Sequence, residues 1–439
     1  MFLAVGTRQF AAKMRDFARW IWFLVPLGLL IGSACAGFLR GLDFVTQSRF
    51  SHPNLLFLLP FAGVLVEFCY RKIGAGSEAG NNLLLEAVNR EETENREESD
   101  PETVTSPDSS PIVPRRMAPL IVAATFVTHL CGGSAGREGT AVQMGGALAS
   151  AWGRLFRLGR EETRIILLCG IAAGFAGVFG TPLAGAVFAL EVLAVGRFKT
   201  DALMPCLLAA LVSHWSVAAL GVHHAHYGVA PLADPQNAIF DALLALKIGL
   251  ASVAFGLAAS FFVAFTHGVA NFLKRSFQNS LWRPFIGGCV VIALALALGT
   301  RDYLGLGVSS PDAGAVTLSS AFESGGADSF SWAWKLVFTA VTLGSGFKGG
   351  EVTPLFFIGA TLGNALAAPL HAPVSLLAAT GFLAVFAGAT KTPLACTLMG
   401  IELFGAEFAP YFALACFAAQ LCSGETGVYS SQRKRMTRV

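Results

Sequence analysis

The chain has 439 residues, 54% of them hydrophobic and 13% charged, a net charge of +3 and a mean hydropathy of +0.61. Soluble domains carry about 25% charged residues, so this composition excludes a soluble globular enzyme and leaves a polytopic helical membrane protein. The net charge marks no acidic partner, and no nucleic acid is expected to bind.

In chain order, Arg8, Lys13, Arg15 and Arg19 precede a first apolar run at 21–39. That run lacks a small-residue cleavage site and reads as a retained helix rather than a signal peptide. Further apolar runs occupy 55–70, 165–195, 248–266, 290–298 and 376–404. In all there are roughly ten stretches near the ~20 residues that a spanning helix needs. Several are too long for one crossing, or are broken by Gly and Pro. Arg433, Lys434, Arg435 and Arg438 follow the last run. Positive residues stay cytoplasmic, so both termini are expected inside the cell's inner (plasma) membrane. Only 17 residues follow Cys422, so no soluble C-terminal domain is expected.

One segment differs from the rest. Residues 89–116, NREETENREESDPETVTSPDSSPIVPRR, hold with Glu86 nine of the 28 acidic residues. Such a segment buries too little apolar surface to offset its ordering entropy, and it reads as a disordered, solvated loop. The nine cysteines form no C-x-x-C pair and mostly sit in apolar runs, where Cys behaves as a small hydrophobe. His223, His224 and His226 are the one metal-like cluster. Three imidazoles can hold zinc, but with no Cys or acid nearby they read as a solvated external loop. No metal and no cofactor is expected.

The chain repeats itself. GREGTAVQMGGALA from Gly136 lies over GGEVTPLFFIGATL from Gly349, a 213-residue offset that superposes Glu138 on Glu351 and Thr140 on Thr353. TPLAGAVFALEVL from Thr181 lies over TPLACTLMGIELF from Thr392, a 211-residue offset that superposes Glu191 on Glu402. Two matches at nearly one offset predict a single transmembrane domain of two duplicated halves, about 20–220 and 240–422.

Duplicated halves with Gly/Pro-broken apolar segments point to a midplane transport site. A helix starting inside the membrane offers free N–H groups and the positive end of its dipole. Glycines ahead of it admit a ligand to the backbone, and the result attracts an anion. Gly132–Gly136 and Gly344–Gly350 are two such entries, and GAGSEAGNNLLLEA from Gly74 is a third, with Asn81 and Asn82 as donors. Glu138 and Glu351 stand at the first two. A carboxylate at membrane depth is costly and marks an ion or proton path. The plainer reading is an acid that complements its own helix dipole. For Glu191 and Glu402, at helix ends, the structural reading leads.

These residues resemble a known family. Gly136-Arg137-Glu138-Gly139-Thr140 resembles the GREGP signature of the CLC chloride channels and transporters; GGEVTPLFFIGATLG is similar to their GGxFxP segment; and GFAGVFGTPLAGAVFALEVL resembles their glycine-rich re-entrant pair. The resemblance covers the chain except the acidic loop. It implies an all-α, inverted-repeat homodimer of many tilted and re-entrant helices in the bilayer, with one anion pathway per subunit. Glu138 would be the gating glutamate that competes with the anion and carries the proton.

The departures resemble the fluoride-exporting branch. The serine motif is absent, its counterpart being either Gly80-Asn81-Asn82-Leu83-Leu84 or GSEAG from Gly76. GREGP reads GREGT, the GGxFxP phenylalanine is Val352, and the inner proton glutamate falls on Val192. SGETGVYSSQ resembles that branch's C-terminal element, which makes Tyr429 a pore tyrosine rather than an interfacial one. The resemblance thus implies a proton-coupled fluoride exporter rather than an enzyme. A chloride/proton antiporter or passive chloride channel is the rival on the same fold, and a paired-carboxylate intramembrane hydrolase the rival of another class. Glu138 is the expected coupling residue and Glu351 the expected second proton or ion site. The anion-binding set is Asn81, Asn82, Gly136, Arg137, Gly139, Thr140, Gly349, Gly350, Val352, Thr353 and Tyr429. Phe356 and Phe357 are assigned to packing.

Overall fold

A computed structural model describes residues 2–97, 113–196, 200–225, 227–230 and 241–433, without the side chains of 2–19 and 91–97. Its architecture is α-helical throughout, and among the described residues the only strand-like pairing is two isolated bridges. The first half holds α1 (Phe2–Ser51), α2 (Leu59–Ile73), α3 (Asn81–Glu97), α4 (Met117–Leu130), α5 (Glu138–Leu155), α6 (Arg160–Phe179), α7 (Pro182–Glu191) and α8 (Leu203–Ala219). The second holds α9 (Ala242–Ser276), α10 (Trp282–Leu298), α11 (Ser331–Gly344), α12 (Val352–Leu370), α13 (Val374–Thr390), α14 (Pro393–Phe404) and α15 (Ala409–Cys422).

Helices outnumber the apolar runs because the long runs break at matched points. The run at 165–195 divides at Gly180, whose φ is +76°, just before Pro182 starts α7. The run at 376–404 divides at Lys391, with a φ of +62°, just before Pro393 starts α14. Proline is tolerated in a helix's first turn but not in its interior, so each Thr-Pro ends one helix and begins another. Among the described residues five helices are long and apolar enough to cross a membrane, while α4, α7, α8, α10, α11, α13, α14 and α15 have 10 to 17 residues.

Packing repeats with the sequence. α1 lies on α6 and α8 as α9 lies on α13 and α15; α5 packs on α6 as α12 packs on α13. The second kind of contact needs small residues: a methyl on Gly145 would overlap the Gly170 carbonyl, and one on Gly359 the Gly381 carbonyl. Membrane helices associate through such close approach, lipid offering them no hydrophobic driving force. α6 and α13 are accordingly buried along nearly their whole length. On the outside, Leu243, Leu246, Leu250, Leu257 and Phe261 form an exposed apolar stripe along α9, the spacing of a single helix face. α7 and α14 are clasped reciprocally. Glu191 accepts from the Leu394 and Ala395 amides (3.0 and 2.8 Å), and Glu402 accepts from the Leu183 and Ala184 amides (2.9 and 2.8 Å). Each carboxylate supplies the acceptor and charge that a helix N-terminus lacks, which is the structural reading of both.

The acidic segment needs a correction. α3 continues through Glu97, so its first residues are helical, in keeping with the fair helix propensity of Glu and Arg. At its other end Val113 is buried and its carbonyl accepts from Arg154 (2.9 Å). Residues 98–112 lie outside the described residues, as do Lys434, Arg435, Arg438 and His226, and the side chains of Arg8, Lys13, Arg15 and Arg19.

Candidate functional site

The starts of α5 and α12 meet head to head. Gly136 and Gly350 form an antiparallel bridge, each amide donating to the other's carbonyl (2.5 and 2.8 Å). This corrects the expectation that both amides are free for an anion: they are a strut between the halves. Glycine is required at Gly350 by approach, since a Cβ there would lie 2.7 Å from the Gly139 nitrogen and 3.2 Å from that of Glu138. Gly349 packs in the same manner on Ala135, where a Cβ would come within 2.6 Å.

Beside this strut lies the Glu138 carboxylate, 2% exposed. It accepts from the Thr353 amide (3.0 Å), the Thr353 hydroxyl (2.6 Å) and the Arg137 amide (3.1 Å), and the Arg137 guanidinium stands 3.5 Å away. A carboxyl group of one half therefore sits on the Thr353 amide in the first turn of the other half's helix, where a free anion would bind. Thr353 thus holds the Glu138 carboxyl through both its amide and its hydroxyl, whereas the hydroxyl of Thr140, its match in the first half, pairs with that of Thr125 (2.7 Å).

Glu351 lies on the other side of the junction. Its carboxyl lies against the Tyr429 and Asn81 side chains and feels the charge of Glu138. A Cβ on Gly139 would fall 3.2 Å from Asn81 Nδ2 and 3.4 Å from Glu351 Oε2, so these groups crowd the start of α5. Glu351 Oε1 and Asn81 Oδ1 are buried and take no hydrogen bond from any described residue. Unsatisfied buried acceptors are costly, and a proton on Glu351 would supply a donor to this pair. Asn81 lies against the Glu351 carboxyl, and residues 77–80 of the alternative serine-motif segment line the same cavity. Asn82 lines the larger cavity as well, and its Oδ1 accepts from the Ser431 amide (3.1 Å). Val352 is buried in the first turn of α12.

Two cavities reach the junction and share no lining residue. One, of about 210 Å³, is lined by Ser77, Asn81, Gln143, Lys348, Glu351 and Tyr429. The other, of about 30 Å³, is lined by Arg137, Glu138, His224, Tyr227, Thr353 and Phe356. Glu351 thus belongs to one access and Glu138 to the other. His224 was expected in a solvated loop, yet it is half-buried, lines the second cavity and stacks on His214 (ring centroids 6.2 Å). His223 is exposed as expected, and no metal-holding group occurs among the described residues. Phe356 packs as assigned, stacked on Phe382 at 3.8 Å, but also walls the cavity beside Glu138. Val192 lines a third, apolar gap of about 10 Å³ with Asn81, Phe188 and Tyr429, so no carboxylate stands there.

A family model described as voltage gated chloride channel matches residues 62–424. A chloride/fluoride channel protein of Pseudomonas syringae pv. tomato is 47% identical over 422 residues, covering 95% of this chain and 86% of its own. A putative chloride channel protein of Ralstonia nicotianae is 28% identical over 338 residues, 72% of this chain and 74% of its own. Among solved structures, a CLC-type fluoride/proton antiporter superposes with a TM-score of 0.85 at 34% identity, covering 95% of this chain and 98% of its own. A slow cyanobacterial chloride/proton antiporter shares the fold, with a TM-score of 0.74 at 18% identity and 94% and 96% coverage.

Proposed function

The chain belongs to the voltage gated chloride channel (CLC) family, and on that premise we propose that it is a proton-coupled fluoride exporter. The carrying observation is the Glu138 carboxylate seated on the Thr353 amide and hydroxyl and the Arg137 amide, with Glu138 lining one cavity and Glu351 the other. Deprotonated, Glu138 fills the anion position as a tethered ion. Protonated, it leaves those donors to fluoride. Fluoride hydrates strongly, so its site must replace water with donors: the Thr353 and Arg137 amides, the Thr353 hydroxyl, the Asn81 amide and the Tyr429 hydroxyl. Glu351, beside Asn81 and Tyr429 at the larger cavity, takes the inner proton step that Val192 cannot.

Arg71 and Lys72 end α2, Arg154 ends α5, and Lys274 and Arg275 end α9; Tyr70, next to Arg71, lines the larger cavity, and we read these ends as one side, that of the larger cavity. By the positive-inside rule that side is cytoplasmic, both termini are inside and the small cavity faces out. The protein is read as an inner-membrane homodimer, its exposed α9 stripe meeting lipid or a second copy. Liposomes holding the purified protein and loaded with fluoride or chloride provide the test. Fluoride efflux with opposite proton uptake is expected, with chloride moving far more slowly. Equal chloride efflux overturns the selectivity, and fluoride efflux without proton movement overturns the coupling.

A further inference from the structure

At the break between α13 and α14 the backbone takes a left-handed turn, and the residue there is Lys391, φ +62°. The matched break in the first half uses Gly180, φ +76°. Glycine adopts this conformation freely, whereas a side chain makes it costly, by roughly 1 kcal/mol or more. The scaffold asks for glycine, so the lysine is there for its side chain.

That side chain is 1% exposed, and its ammonium donates to the Ser423 carbonyl (3.1 Å), the Ser423 hydroxyl (2.7 Å) and the Gly424 carbonyl (2.8 Å). These three acceptors begin the segment 423–433 that follows α15. The segment is then pinned along its length. The Val428 amide donates to the Ala389 carbonyl (2.8 Å), the Gln432 side chain to the Thr390 carbonyl (3.0 Å), and the Ser431 amide to Asn82 Oδ1 (3.1 Å). Its end reaches α3 and the turn after α7, where the Ser431 hydroxyl donates to Glu86 (2.5 Å) and the Arg433 amide to the Leu193 carbonyl (3.0 Å). In the middle stands Tyr429, 7% exposed, against Glu351.

The geometry points to Lys391 as a positioning residue: it latches the C-terminal segment so that the Tyr429 hydroxyl is held at the Glu351–Asn81 side of the anion path. It touches no transported ion and acts through Tyr429. The inference rests on the transport reading above, and its test separates the two.

The discriminating variant is Lys391→Gly, which relieves the left-handed turn while removing the latch; Lys391→Arg retains a cation. Hydrogen exchange of the full-length protein reads the latch without reference to any ion. Exchange at the Val428 and Ser431 amides should quicken in Lys391→Gly, with α12 and α13 unchanged and Lys391→Arg closer to wild type. Initial rates in liposomes, for whichever of fluoride or chloride the wild type moves, should show KM raised about tenfold, the weight of one misplaced hydrogen bond, and turnover at saturation kept. A wild type that moves no fluoride overturns the fluoride reading alone. Unchanged exchange in the segment, or lost turnover at unchanged KM, overturns the latch. Should Lys391→Gly not fold, Ser423→Ala removes the 2.7 Å contact and is read by the same two measurements, with the same expected and overturning results.

Discussion

Replacing Glu138 by Gln isolates what its charge does. The carboxylate takes three hydrogen bonds, from the Thr353 amide, the Thr353 hydroxyl and the Arg137 amide. A hydrogen bond to a charged group contributes about 1 kcal/mol more than a neutral one, so the seated pose loses roughly 2–3 kcal/mol, a fall of about 30- to 150-fold in how strongly the side chain holds the site. The new NH₂ must also face either backbone N–H donors or the Arg137 guanidinium 3.5 Å from Oε1. Nor can the amide release a proton at any physiological pH. Proton uptake under an imposed fluoride gradient should therefore vanish, while fluoride flows down its gradient uncoupled. Vesicles with an entrapped pH dye and an external fluoride electrode record both fluxes together. Glu138→Ala, which also removes the tethered group, should leave the fluoride leak and abolish proton uptake likewise. Wild-type proton uptake surviving in both variants would refute the reasoning and leave Glu138 as a group that complements a helix dipole.

Glu351→Gln should lower fluoride-driven proton uptake at least tenfold in a monodisperse protein, and unchanged uptake would remove Glu351 from the proton route. Glu191→Gln loses one acceptor and sets a donor against an α14 amide, for about 2–4 kcal/mol. Thermal unfolding in detergent should begin lower, while the fluoride-to-proton ratio stays at the wild-type value. Gly350→Ala puts a methyl 2.7 Å from the Gly139 nitrogen and should push the α5 and α12 starts apart. Coupled transport should be lost in protein that still elutes as a folded species, and wild-type rates would show that the two starts need not touch.

Much of this was legible because duplication is a sequence property. The two offsets placed Glu138 on Glu351 and Glu191 on Glu402, and each pair proves to be related across the centre of the fold. An offset says which residues correspond, not which residues meet. That the helix starts face each other follows from the inversion of one half, and only then do Gly136 and Gly350 become each other's partners. Thr140 and Asn82 matched the expected chemistry, but hydroxyls and amides bind whatever is nearest: Thr125 on the neighbouring α4, and Ser431 some 350 residues away in sequence. Tyr429 was expected at the pore only through the family resemblance, since no spacing shows its reach to Glu351, and the place of His224 beside Arg137 was not legible at all. A composition-based reading of the acidic segment stopped at polarity, whereas α3 had already been nucleated at Asn81 and each further residue propagates cheaply.

The symmetry of the scaffold explains where the site is; its function rests on where that symmetry fails. Two like helix starts approaching from opposite faces create one polar point in an apolar core, and duplicated chemistry there would give no direction to transport. At matched positions the halves differ. Thr353 binds the carboxylate of the other half, whereas Thr140 is turned to α4. The small cavity reaches Glu138, whereas the large one reaches Glu351. Gly180 merely turns the chain, whereas Lys391 at the same turn grips the segment that brings Tyr429 in. Each difference gives one side of the junction a group that the other lacks. A proton arriving from the larger cavity meets Glu351, Asn81 and Tyr429, while an ion in the smaller one meets Glu138 and Arg137. Two carboxylates lining separate cavities at one junction are what the proposed exchange of anion for proton requires, since a charge on one raises the cost of charging the other.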